Sequence, residues 1–285
     1  MMQVFDARRC GLGEGALWHP LRGQLFWFDI AGRRLLTQTP AGPAEWGFDE
    51  QVSAAGWTDH GHLLIASETA LWRFALASGA RQKLCGLDAD NPVTRSNDGR
   101  ADPQGGFWIS TMGKAAEPGA GAIWRYFRGT LRCLYPGLGI PNAICFGPDG
   151  QYAHFCDTVT GKVLRVALDA EGWPCAAPTV FLDLTAEALH PDGAVVDAAG
   201  TLWLAQWGAG RVAAYGRDGG FLRAITVAAP HTSCPAFGGP DLTTLYCTTA
   251  LQGMDAAARA AHPDAGKTFC AAAIARGQPE HQVIL

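Results

Sequence analysis

The chain has 285 residues, of which 48% are apolar and 17% charged, with 36 Gly, 17 Pro and a formal net charge of −4. That balance excludes disorder as the default state, and no cluster of Lys or Arg offers a face for nucleic acid. The longest apolar run, residues 270–275, is far too short to span a bilayer, so neither nucleic acid nor membrane is expected as a partner.

In chain order, a Gly/Asp/Pro turn followed by an alternating apolar strand recurs six times. The copies are PLRGQLFWFDI near 25, TDHGHLLIAS near 63, DPQGGFWIST near 107, GPDGQYAHFCDT near 152, DAAGTLWLAQW near 202 and GPDLTTLYCTTA near 245. Their spacing averages 44 residues. Each copy reads as a β-hairpin, and four are followed by a further alternating strand, at 68–76, 121–127, 161–168 and 210–216. Helical periodicity is confined to the Ala-rich stretch 254–262. Four strands per 44 residues, repeated six times, predict an all-β, six-bladed β-propeller. No linker divides the chain, so residues 1–285 read as one domain, monomeric by default.

A closed ring hides its sheet edges, which predicts that the N-terminal QVFDARR supplies the outer strand of the last blade. The terminal EHQVIL is left as an edge or a tail. The N-terminus has no apolar signal core, and the nine cysteines are odd in number with no C-x-x-C pair. They are expected as free thiols in a reducing cytoplasm.

In a propeller the innermost strands converge on the axis. Counting back ten or eleven residues from each second strand reaches Glu14, Asn97, Asn142 and Asp192, with weaker candidates at Val52–Ser53 and Cys234–Pro235. One Asn or Asp before Gly commonly caps a turn. Four oxygen-bearing side chains at one inner register instead suggest a hard-cation cage, which suits Ca²⁺ best. Zn²⁺, Mn²⁺ or Fe²⁺ can also occupy it with waters completing the shell. Trp18, Trp57 and Trp207, with His19, His190 and His231, sit near inner turns and are candidates to line the channel.

The segments LGEGALWHP, RSNDGRADPQG, IPNAICFGPDG, HPDGAVVDAAGTLWLA and CPAFGGPDLTTLYCTTA resemble those of the gluconolactonase family, which includes regucalcin and the luciferin-regenerating enzymes. The resemblance implies a divalent cation in the central channel and hydrolysis of a small-molecule sugar lactone. It assigns the metal to Glu14, Asn142 and Asp192, and substrate contacts to Arg95, Asn97 and, from a loop of variable length, Glu117. Asp192 is the expected base, with Glu14 the alternative and His190 a candidate proton carrier. One departure is Ala143, where the family commonly has Gly after the metal-binding Asn. Two other readings stay open: a metal-dependent phosphotriesterase-like hydrolase and a non-catalytic calcium-binding propeller.

Overall fold

The computed structural model describes residues 1–285. It contains six four-stranded antiparallel sheets arranged as blades around an axis, as the 44-residue period predicts. The blades span residues 13–47, 52–86, 94–138, 141–183 and 190–226, and a sixth combines 232–249 and 268–271 with residues 3–6. The one α-helix, Ala256–Ala261, falls in the Ala-rich stretch. No helix is long and apolar enough to cross a membrane.

Blade packing follows from the two-residue period of a strand. In Gln24–Asp29, Phe26 and Phe28 face one way and pack with Leu63, Ile65 and Phe74 of the second blade. Leu25 and Trp27 face the other way and meet Cys234, Ala236 and Tyr246 of the sixth. Because both faces are covered, the strand is apolar throughout its middle. The same logic repeats around the ring, where each cluster of buried side chains is shared by adjacent blades.

Ring closure is as expected. The strand Gln3–Asp6 pairs antiparallel with Thr268–Ala271, placing Val4 opposite Phe269. All nine cysteines are free.

The C-terminal segment is a tail, and it straps the face of the ring opposite the cavity described below. Gln278 donates to the carbonyls of Phe146 and Val196, in the fourth and fifth blades. Trp57 donates its indole N–H to the Glu280 carbonyl at 2.8 Å, and Val283 N–H donates back to Trp57 O. Ile284 N–H reaches Gly105 O in the third blade. Glu280 forms an ion pair with Arg100 of the third inner strand, and each residue is only 8% exposed.

A buried pair costs little as a pair but much when halved, because the remaining charge is left without a partner. Glu280→Gln is therefore expected to lower unfolding free energy by about 3 kcal/mol. The double change Arg100→Met with Glu280→Leu should cost clearly less. Urea denaturation of the three proteins checks this, and equal losses would mean that the pair is irrelevant to the strap.

Candidate active site

Six inner strands, Gly13–His19, Val52–Asp59, Thr94–Ala101, Pro141–Phe146, His190–Val196 and Thr232–Gly238, line the axis. Each carries a register shift against its hairpin partner near its first residues. These bulges re-aim side chains that would otherwise alternate into the inter-blade cores. They turn Glu14, Asn97, Asn142 and Asp192 towards one end of the channel, where all four line a cavity of about 700 Å³.

Close approach of neighbouring backbones dictates the residue after each acid. A Cβ on Gly15 would stand 2.1 Å from Ser53 O, and one on Gly193 would stand 2.7 Å from Ser233 O. Gly15 also has a φ of 58°. At the corresponding place after Asn142, Ala143 takes a φ of 56° without glycine's freedom. Ala143 thus takes the left-handed turn that Gly15 takes after Glu14, at a cost of about 1–2 kcal/mol.

The polar residues form a chain. Arg95 Nη1 donates to Asn97 Oδ1 at 2.8 Å, and Asn97 Nδ2 donates to Asn142 Oδ1 at 3.0 Å. Asn142 Nδ2 donates to Thr158 Oγ1, which donates to Pro191 O. Asn97 is thus a linker that fixes Arg95 and Asn142 as well as a cavity-lining amide. The weaker candidates of the other two blades, Val52–Ser53 and Cys234–Pro235, carry no acid: Ser53 hydrogen-bonds Ser96, and buried Cys234 N–H donates to Thr248 Oγ1.

Asp98 is a further acid at the axis, given no role by its place in the sequence. Its Oδ2 accepts from Ile144 N–H at 2.7 Å, and it is 4% exposed. The bulge between Ser96 and Gly99 places it beside Asn97, so the adjacent acid in S-N-D-G is the signal that could have found it. Burial pushes its carboxyl up to about 6. Burial also pushes Glu14 up to about 8, with the Asp98 charge adding to the effect. Asp192 is raised well above the ordinary range by burial and then by Glu14 and Asp98. Arg95 is lowered to about 10 by burial, against the pull of Glu14 and Asp192.

Four buried carboxylates face two guanidiniums: Arg95 stands beside Glu14 and Asp192, and Arg100 beside Asp98 and Glu280. Ionised, the group carries a formal excess of two negative charges, which one divalent cation would balance. Glu14, Asp192 and the Asn142 carbonyl are hard oxygen donors suited to such an ion. The residues present therefore fit the group.

Other candidates lie elsewhere. Glu117 is not part of the cavity wall; its Oε2 accepts from Ala115 N–H at 3.0 Å, and Lys114, Ala115 and Ala116 line the cavity from that loop instead. Trp18 is packed against Tyr246 between the first and sixth blades. His19 and Trp57 sit together at the strapped end, His19 against Asp59 O. Trp207 and His190 do line the cavity, and His231 stands behind Trp207.

Residues 12–251 match the model of the SMP-30/Gluconolactonase/LRE-like region. The chain belongs to that family. It is 41% identical over 261 residues to a Rhizobium meliloti protein named "Putative sugar lactone lactonase", covering 90% of this chain and 88% of the relative. It is 36% identical over 267 residues to an L-arabinolactonase of Azospirillum brasilense, covering 91% and 88%. Among solved structures it is similar to a calcium-binding protein, regucalcin, of Agrobacterium tumefaciens. That match has a TM-score of 0.97 and 37% identity, over 100% of this chain and 98% of the other. This family member thus shares its six-bladed ring with a protein described as binding calcium.

The raised carboxylates make a pH prediction for protein stripped of divalent cations. Glu14 keeps its proton in the folded chain up to about 8 but releases it near 4.5 when unfolded. Between those values the folded state binds more protons, so stability falls as pH rises. Added divalent cation should flatten the slope and raise Tm most at the alkaline end. Thermal melts at pH 7.5 and 8.5, with chelator or with Ca²⁺, test this. An equal Tm gain at both pH values would contradict it.

Proposed function

We propose that this protein is a divalent-cation-dependent hydrolase that opens a sugar lactone to the sugar acid. The observation that carries the reading is the joint presence of Glu14, Asn142, Asp192, Arg95 and Asn97 in the lining of one cavity. Membership of the family and the relatives named as a sugar lactone lactonase and an L-arabinolactonase support it. The aldonolactones of five- and six-carbon sugars are the proposed substrates.

Glu14, Asn142 and Asp192 would hold the cation. When bound, it supplies Lewis acidity at the lactone carbonyl and keeps the surrounding carboxylates ionised. Arg95, a planar fork with donors left over after Ser96 O and Asn97, hydrogen-bonds ring hydroxyls together with Asn97. Asp192 takes a proton from water as its oxygen bonds to the carbonyl carbon. The bond to the ring oxygen then breaks, and Asp192 returns the proton to that oxygen. The strap behind Arg100 leaves the cavity end as the route for substrate and product.

Acid release from L-arabinono-, D-xylono- and D-glucono-lactones, assayed beside a phosphotriester, tests the reaction class. Activity on the phosphotriester alone would replace the lactone reading with the phosphotriesterase-like one.

Asp192→Asn keeps an oxygen donor but loses the base, and kcat should drop by about 10²-fold or more. That loss should persist at saturating metal, while Asn142→Asp should hold metal at least as tightly as the wild type. Recovery of Asp192→Asn by metal alone would make Asp192 a ligand only and move the base to Glu14 or His190.

A further inference from the structure

The cavity has one wall of a different character. Trp207 ends the strand Leu202–Trp207, and its antiparallel register sets it opposite His190, two residues before Asp192. An isolated bridge joins Trp207 to His231 on its other side. The Trp207 and His231 rings stack with centroids 4.3 Å apart and planes within 9° of parallel. Trp207 is half-buried and lines the cavity, whereas His231 does not. His231 therefore backs one face of the indole, Leu12, Ile30 and Ala250 pack against part of the ring, and its remaining surface lines the cavity.

His231 is itself fixed. Its main-chain carbonyl accepts from Ala250 N–H, and burial pushes its pKa below the usual histidine range, so a neutral ring lies against the indole. Trp207 is the only Trp, Tyr or Phe in the cavity wall. The hydrogen-bonding residues Arg95 and Asn97 belong to the third blade, and Trp207 to the fifth. A ligand between these walls meets donors on one side and a flat apolar surface on another.

A closed sugar ring has this division of surface. Its hydroxyls point outward round the rim, while C–H groups form a face that packs on the electron-rich face of an indole. An open-chain sugar acid has no such rigid face. We propose that Trp207 is a specificity-determining platform for the ring form of a sugar lactone, with His231 as the positioning residue behind it. The platform rests on the lactone reading above and extends it. It favours closed-ring substrate over linear product, so opening the ring weakens the hold on the product.

Steady-state kinetics with D-xylono- and L-arabinono-lactone test the platform. Trp207→Ala should raise KM about five- to tenfold while changing kcat much less, and Trp207→Phe should recover most of the loss. His231→Ala should raise KM in the same direction, and His231→Phe, which keeps a stacking ring, should restore it. A kcat loss with KM unmoved, or failure of both Phe variants to rescue, would overturn the proposal.

A second measurement does not depend on turnover. D-xylose, a ring sugar with no lactone bond, should quench wild-type tryptophan fluorescence more than the linear acid D-xylonate does. That quenching should vanish in Trp207→Phe. If wild-type protein hydrolyses no lactone, the functional reading fails. The D-xylose titration then decides the platform by itself, and quenching unchanged in Trp207→Phe would sink it.

Discussion

Everything in this molecule depends on closing a ring of sheets whose inner strands approach closely at the axis. Strand pairing within a blade is local, but the ring holds only because residues 3–6 pair with 268–271. Without that pairing, the sixth blade would lose its outer strand and bare the edge of Thr268–Ala271, and inter-blade clusters at the seam would lose a partner. Closure also fixes the separation of the inner strands, and the glycines after Glu14 and Asp192 record how tight that separation is.

The same convergence creates an electrostatic conflict. Three carboxylates lie near the axis, Glu14 and Asp192 sharing Arg95 while Asp98 shares Arg100 with Glu280, and burial raises each of the three. A fold selected only for stability would place apolar groups there. Retaining uncompensated acids at the end of a channel is characteristic of a site whose counter-charge arrives from outside, and this underlies the proposed cation dependence.

The two ends of the channel have opposite roles. At one end the tail crosses several blades and neutralises Arg100 with Glu280, so charge and main chain are satisfied internally. At the other end the hydrogen-bond chain from Arg95 to Thr158 leaves a polar wall open to the cavity. Trp207, backed by His231, lines the cavity from the fifth blade. The proposed chemistry draws on the contrast between these walls.

Sequence alone determined the blade count, the strand that closes the ring and the inner register of Glu14, Asn97, Asn142 and Asp192. These features are local and repeated: turn residues and two-residue alternation recur with every blade, so each copy reinforces the reading of the others. Tertiary structure decided what the repeat cannot encode. Asp98 faces the axis because a bulge admits two adjacent residues, whereas strict alternation would send it to a core. Glu117 turns back onto Ala115 because its loop is free of the repeat. Trp18, Trp57 and Trp207 all stand near turns, but inter-blade packing sends them to a core, the strapped end and the cavity. The tail's path and the stacking of His231 on Trp207 join residues far apart in the chain. Contacts of that kind exist only once the ring has closed and set the distances between blades.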